Sequence, residues 1–186
     1  ISHVMHGTTV ATNTVLQSNG AKVALVTTAG YKQVLQIARS FVPGGLGGWV
    51  IYNKPEPLAT LDLTIEAKER LSAQGEIVQT LDEGDIRTKL QSLAGKGVEA
   101  LTVSLINAFA NGVHERRIRE IASEVLPGIP VSISSEVIPE MYEYERTETT
   151  VVNSYIRPVV AKYVQNLRRE ISGKMPRVKL HILRSD

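Results

Sequence analysis

A histidine, a glycine and two threonines near the start of the chain form a group that can hold an anion. His6, Gly7, Thr8 and Thr9 are consecutive, and Asn13 follows one helical turn later. A strand that enters a helix through a glycine brings backbone N–H groups, hydroxyls and an imidazole together, which stabilises an anion or a developing oxyanion. A structural role also explains these residues, with a threonine capping the helix and His6 bonding a neighbouring carbonyl group.

A second group of charged side chains precedes the longest apolar repeat of the chain. It consists of Glu136, Glu140, Glu143, Glu145 and Arg146. Paired carboxylates can bind a metal ion or act as a general base. Acidic residues also stabilise the start of a helix through its dipole, and the arginine can pair with one of them. Both roles stay open from the residues alone.

The remaining histidines show no spacing typical of a metal site. His3 shares the first predicted strand with His6, and we expect both to face the same side. His114 lies in the first turn of a predicted helix, where capping is the simplest role, and His181 is expected to be packed within the last strand. The spacing of the histidines therefore predicts no metal site.

Motifs of several well-known chemistries are missing. Cysteine is absent, which excludes disulfides, thiolate catalysis and cysteine-bound zinc. The glycine-rich run at 44–48 has neither the spacing of a dinucleotide fingerprint nor the lysine of a Walker phosphate loop. There is no Gly-x-Ser-x-Gly nucleophile elbow. The residues alone therefore indicate an anion site without a named reaction.

The composition argues against nucleic acid and membrane partners. Charged residues make up 22% of the 186 positions, the net charge is +2, and the two signs are interleaved. Apolar runs are only a few residues long, whereas a membrane helix needs about 20. With 42% apolar residues the chain can bury a core. We expect a cytoplasmic protein, and because both ends lie beside predicted strands, an internal piece of a longer chain.

Strand and helix patterns alternate along the first part of the chain, which predicts an α/β fold with parallel strands. A strand over 1–5 precedes a helix that ends near residue 18. The β-branched run 22–28 is typical of a strand buried on both faces, and a short helix over 31–38 follows it. Residues 41–57, rich in glycine and proline, are predicted to form a long loop.

The second part of the chain repeats this alternation. Two strands joined near residues 73–75 are expected between residues 61 and 81, followed by a helix that Asp82 caps. Strands over 98–106 and 129–134 flank a helix that begins near Asn111. We expect this block to form a small α/β layer of its own.

A long amphipathic helix dominates the last part. Its apolar residues recur at steps of three and four, and Thr147 is the expected start. Pro158 removes one backbone hydrogen bond, so we expect a kink near Ser154. A closing strand is predicted over 177–183. The patterns divide the chain into three expected domains: 1–57, 58–135 and 136–186.

Ordered motifs along nearly the whole chain resemble the hydantoinase/oxoprolinase family, in the N-terminal region of its A-type subunits. They lie at 6–16, 20–31, 111–118, 134–147, 149–158 and 183–186. The resemblance implies a fragment of an actin-like ATPase fold with a small α/β insertion and a long, kinked C-terminal helix. It also implies ATP and Mg²⁺, with the family's phosphate loops expected before Ile1 and after Asp186, so no nucleotide contact is assigned within the chain.

The resemblance further implies a reaction, partners and binding residues. The expected activity is ATP-dependent opening of a cyclic amide (hydantoin, oxoproline or lactam) through a phosphorylated intermediate, with the fragment alone inactive. The alternatives are a ketone carboxylase subunit of the acetophenone carboxylase type and a non-catalytic scaffold for subunit contacts. A B-type subunit or fused domain and a small-molecule substrate are the expected partners. Substrate binding is assigned by this resemblance to His6, Thr8, Thr9, Asn13, Glu143 and Arg146, while the catalytic residues are not assigned.

Overall fold

The computed structural model describes residues 2–40, 44, 47, 54–175 and 177–183. In chain order its elements are β1 (His3–His6), α1 (Val10–Leu16), β2 (Val23–Thr28), α2 (Val34–Ile37), β3 (Thr64–Ala67), β4 (Arg70–Leu71), β5 (Ile77–Gln79), α3 (Glu83–Gln91), β6 (Ala100–Val103), α4 (Val113–Val125), β7 (Val131–Ile133), α5 (Ser134–Val137), α6 (Glu143–Lys174) and β8 (Lys179–Ile182). Most of the predicted loop over 41–57 lies outside the described residues.

Contacts group the chain into two compact units. One combines Ile1–Ala21 with Ile156–Asp186, and the other is Lys22–Tyr155. These bounds differ from the three segments expected from the sequence, because the first and last strands pair with each other. The division into three domains at 1–57, 58–135 and 136–186 stays a prediction.

The larger unit contains a four-stranded parallel sheet in the order β3-β2-β6-β7, which confirms the predicted α/β class. Every residue of the central strand β2 is buried, as expected for a strand covered on both faces. A separate antiparallel pair, β4 and β5, forms the predicted hairpin around 73–75.

Two helices of the larger unit pack on each other and on this sheet. Ile86 and Leu90 on α3 and Ile118 and Ile121 on α4 are fully buried in one apolar cluster. Each such side chain contributes about 1.5–3 kcal/mol relative to exposure to water. The predicted cap of α3 is confirmed, since Asp82 Oδ1 accepts a hydrogen bond from Asp85 N at 3.0 Å.

In the smaller unit, β1 pairs in parallel with β8. The expectation that His3 and His6 face the same side is wrong. Side chains alternate along a strand with a period of two, so residues three apart point to opposite faces. Accordingly, His3 Nδ1 lies 2.8 Å from Nε2 of the exposed His181, whereas His6 Nε2 lies 2.7 Å from the Tyr163 hydroxyl. His181 is exposed rather than packed.

The long helix α6 begins at Glu143, so Thr147 as its start is wrong. Thr147 is buried, and its hydroxyl lies 2.8 Å from that of Ser104 instead of capping a helix end. The helix continues through Pro158 without interruption, and the kink stays a prediction. Within the described ranges, no helix has the length and apolar character needed to cross a membrane.

Candidate functional site

Four of the six predicted binding residues lie around the junction of β1 and α1. His6 is partly buried against Tyr163, and the other three side chains are exposed. Thr8 Oγ1 accepts from Val10 N at 3.2 Å, and Asn13 Nδ2 donates to Thr9 Oγ1 at 3.4 Å. The hydroxyl and amide groups thus bond to their own helix start, while the imidazole bonds to a phenol rather than to a carbonyl group.

The other two predicted residues belong to the larger unit. Glu143 is partly buried at the start of α6, with Oε1 4.0 Å from Nη2 of Arg146. Arg146 is only 1% exposed, although it carries a charge. Its three nitrogens donate to protein acceptors: Ser134 Oγ at 3.1 Å, Glu140 O at 2.8 Å and Leu105 O at 2.7 Å. Its surroundings are therefore those of an internal structural arginine.

Arg146 shares this buried polar network with Glu115. The Glu115 carboxylate accepts from Leu105 N at 2.9 Å, Ser134 Oγ at 2.6 Å and Ser135 N at 2.8 Å. Burial raises the pKa of Glu115, and these hydrogen bonds oppose the rise. Burial also lowers the pKa of Arg146, against the attraction of Glu143 and Glu115. The network joins the segment after β6 to α4, α5 and α6.

A second buried network joins the ends of three strands. Thr28, the last residue of β2, accepts from Ile106 N at 3.0 Å and donates to Glu69 Oε1. The other oxygen of Glu69, Oε2, lies 2.8 Å from His114 Nδ1. His114 is buried and bonds to a carboxylate, so the expected capping role is wrong. No motif in the sequence links Glu69 to His114, because the two residues lie 45 positions apart in the chain.

An open cavity of about 1120 Å³ lies at the carboxyl ends of these strands. It is lined by Gly30, Tyr31, Gln33, Val34, Ile37, Ala38, Arg39, Arg70, Ile106, Asn107, Tyr142, Glu143, Tyr144 and Glu145. Along the chain, β3 follows β2 and pairs with one side of it, and the later strand β6 pairs with the other side of β2. Open α/β sheets bind ligands beyond the carboxyl ends of their strands, where the order reverses in this way. The cavity is the candidate functional site of this unit.

The charged groups of the cavity differ in their pairing. Arg39 Nε donates to Glu145 Oε1, and the pKa of Glu145 is lowered by its backbone N–H and by Arg39. Arg70 instead lies over the ring of Tyr31, 5.3 Å from its centroid. Its position at the start of β4, shortly after β3 ends, was a signal available in the sequence, because residues that follow parallel strands share one edge of the sheet.

The cavity also contains an asparagine in an unusual backbone conformation. Asn107, after β6, has φ of 59°, in the left-handed region that asparagine tolerates better than most residues. Its Nδ2 donates to Leu71 O at 2.9 Å, which holds the turn to the β4–β5 hairpin. Among the residues that the structure describes, no group of three histidines or carboxylates is arranged to hold a metal ion.

Comparisons with known proteins identify a family and several relatives to which this chain is similar. The family model described as the hydantoinase/oxoprolinase N-terminal region matches residues 1–126. The uncharacterised protein MJ0964 of Methanocaldococcus jannaschii is 33% identical over all of this chain and 27% of its own length. The acetophenone carboxylase gamma subunit of Aromatoleum aromaticum is 36% identical over 84% of this chain and 23% of its own.

A solved structure shares the fold. The ATP-dependent caprolactamase of Pseudomonas jessenii superposes with a TM-score of 0.85 at 28% identity, covering 97% of this chain and 26% of that one. The chain thus spans about a quarter of the length of these relatives. Since the family model covers 126 of the 186 residues, the chain belongs to the hydantoinase/oxoprolinase family.

Proposed function

We propose that this chain forms part of an ATP-dependent enzyme that opens the ring of a cyclic amide, such as a hydantoin, oxoproline or lactam. The observation that carries the proposal is the similarity to ATP-dependent caprolactamase over 97% of the chain. An amide is a poor electrophile, and transfer of a phosphoryl group to its oxygen supplies the leaving group that attack by water otherwise lacks.

ATP and Mg²⁺ are assigned to other parts of the intact protein. The sequence contains no glycine-rich phosphate loop, and the described residues offer no cluster of metal ligands. We propose that the phosphate loops belong to other parts of the intact enzyme and that the enzyme has an actin-like fold. A B-type subunit or fused domain and a cytoplasmic location stay predictions.

Two places in the chain are proposed to face the small molecule. His6, Thr8, Thr9 and Asn13 carry the predicted contacts in one unit. In the other, Glu143 lines a cavity that combines apolar and aromatic side chains with a few amide and charged groups, as small-molecule sites do. For Arg146 we propose a positioning role, because its donors are bonded to the protein.

The proposal is tested by ATP turnover of the full-length protein with its B-type partner. We expect hydantoins, 5-oxoproline or lactams to stimulate ATP hydrolysis and ring opening. A second candidate, ATP-dependent carboxylation of a ketone, is favoured by the 36% identity to the acetophenone carboxylase gamma subunit. In that case aryl ketones with bicarbonate stimulate turnover and the cyclic amides do not. Stimulation by neither class contradicts both functions.

Substitutions around β1 and α1 separate a substrate-binding role from a scaffold role. We expect His6→Ala and Thr9→Ala to lower turnover in the full-length enzyme while the subunits still assemble. Thr12→Ala is the matched control, since Thr12 is an exposed threonine on the same helix. Unchanged turnover with weaker assembly, measured by size-exclusion chromatography, would identify this unit as a non-catalytic scaffold.

A further inference from the structure

We infer that Arg70 makes the cavity at the carboxyl ends of β2, β3 and β6 a receptor for a planar carboxylate-type anion. The inference rests on the proposed function only for the identity of the ligand. It concerns a residue that no sequence motif singled out. The anion-binding property itself follows from the charges that line the cavity.

Among the described residues that line the cavity, one guanidinium has no counter-charge. Arg39 forms an ion pair with Glu145. Glu143 forms an ion pair with the buried Arg146, with Oε1 4.0 Å from Nη2. Arg70 takes part in no salt bridge within the described residues. It is partly buried, so its charge meets less water than the charge of a surface arginine.

The orientation of Arg70 is restricted before a ligand arrives. Its guanidinium carbon lies 5.3 Å from the centre of the Tyr31 ring, within the range of a cation–π contact. Tyr31 follows β2 and Arg70 follows β3, so the contact joins neighbouring strand ends. A guanidinium held in this way loses less conformational entropy when it binds a ligand.

The chemistry of guanidinium selects the ligand class. Its parallel N–H groups match the two oxygens of a carboxylate, and such bidentate pairs are stronger than neutral hydrogen bonds. A neutral lactam or ketone presents only one carbonyl oxygen and leaves the charge uncompensated. Two sources supply the required anion: a carboxylate carried by the cyclic amide, as in 5-oxoproline, or bicarbonate as the co-substrate of a carboxylase.

The test compares ligands and variants in the full-length protein. Binding of 5-oxoproline, 2-pyrrolidinone and bicarbonate is measured by calorimetry, together with the KM of each compound that supports ATP turnover. 2-Pyrrolidinone is the same ring without the carboxylate. The variants are Arg70→Gln, Arg70→Lys and Arg87→Gln, the last being a control because Arg87 is paired with Glu124 outside the cavity. Thermal unfolding verifies that each variant is folded.

We expect Arg70→Gln to weaken binding of one anion, 5-oxoproline or bicarbonate, by about 10- to 100-fold, the range for loss of a charged hydrogen bond. Arg70→Lys should lose less, because it keeps the charge without the paired donors. Binding of 2-pyrrolidinone and all properties of Arg87→Gln should stay unchanged. The anion whose binding is weakened by Arg70→Gln identifies the natural source of the ligand.

The outcomes separate this inference from the proposed function. Anion binding that depends on Arg70, without any turnover of amides or ketones, contradicts the proposed function and supports the inference. If Arg70→Gln leaves the binding and the KM of both anions unchanged, or weakens binding of 5-oxoproline and 2-pyrrolidinone equally, the inference alone is overturned. Absence of binding by all three probes also overturns it.

Discussion

At the scale of single residues, buried charge is the main departure from a simple apolar core. Arg146 and Glu115 are almost completely buried, and each is surrounded by hydrogen-bond partners. A buried charge is tolerated only when such partners replace water. Leu105 and Ser134 bond to both side chains, so loss of either side chain leaves buried polar groups of these two residues without a partner.

We expect Arg146→Ala to lower the free energy of unfolding by about 2–5 kcal/mol, because the buried acceptors Ser134 Oγ and Leu105 O lose their donor. Urea denaturation of the protein, followed by circular dichroism, measures this loss. Arg87→Ala removes an exposed ion pair with Glu124 and should cost less than about 1 kcal/mol. Equal losses for the two substitutions would show that the buried network adds no more to the free energy of unfolding than an exposed ion pair does.

Glu115 predicts a pH dependence with a definite sign. Burial raises its pKa above 4.5, so the folded state binds this proton more tightly than the unfolded state does. Its contribution to stability is therefore fully present below pH 4.5 and is lost as the pH rises through the raised pKa. We expect the stability advantage of the wild type over Glu115→Gln to decrease as the pH rises, measured by urea unfolding between about pH 4 and 8. An advantage that increases with pH contradicts this prediction.

At the scale of elements, caps and strand ends determine where side chains are placed. The helix α3 begins where its capping aspartate predicts, because that signal is local to the chain. The start of α6 depends instead on packing, since Thr147 is used inside the larger unit and the acidic residues at 143 and 145 form the first turn. In this chain, Thr147 before an apolar repeat therefore indicates a helix start less reliably than Asp82, whose carboxylate accepts a hydrogen bond from a backbone N–H of the first turn.

We expect Asp82→Ala to destabilise the protein by about 1 kcal/mol through loss of the cap of α3. Asp82→Asn keeps an acceptor oxygen and should retain most of the stability. Thermal unfolding of both variants provides the measurement. A loss of the same size in both would mean that the charge near the helix dipole, rather than the hydrogen bond, is responsible.

At the scale of the whole molecule, the two compact units have different internal support. The apolar cluster of the larger unit is made entirely of residues between Ala24 and Ile133. The smaller unit instead depends on pairing between β1 and β8, which come from opposite ends of the chain. The larger unit is therefore formed by one continuous segment of the chain, whereas the smaller unit needs two segments that are far apart in the sequence.

This difference predicts that residues 22–155 fold when they are expressed alone. All four strands of the parallel sheet and the networks of Glu69 and Glu115 are contained in that range. We expect cooperative thermal unfolding and dispersed amide signals in a proton–nitrogen NMR spectrum. The shorter piece 22–126 lacks β7 and the start of α6, and should not give a cooperative transition.

The sequence by itself determined the family, the α/β class and most of the alternation of strands and helices. These properties depend on local information, namely the order of motifs, the apolar period and capping residues such as Asp82. The fully buried strand β2 and the hairpin at 73–75 were predicted on the same grounds.

Only the tertiary structure decided which chemical groups meet. Glu69 and His114 are 45 positions apart, and Tyr31 reaches Arg70 only because parallel pairing brings two strand ends together. Burial was also invisible in the sequence, which gave no sign that Arg146 and His114 lie in the interior. The physical reason is that charge compensation and solvent exclusion depend on distances in space, which spacing along the chain does not encode.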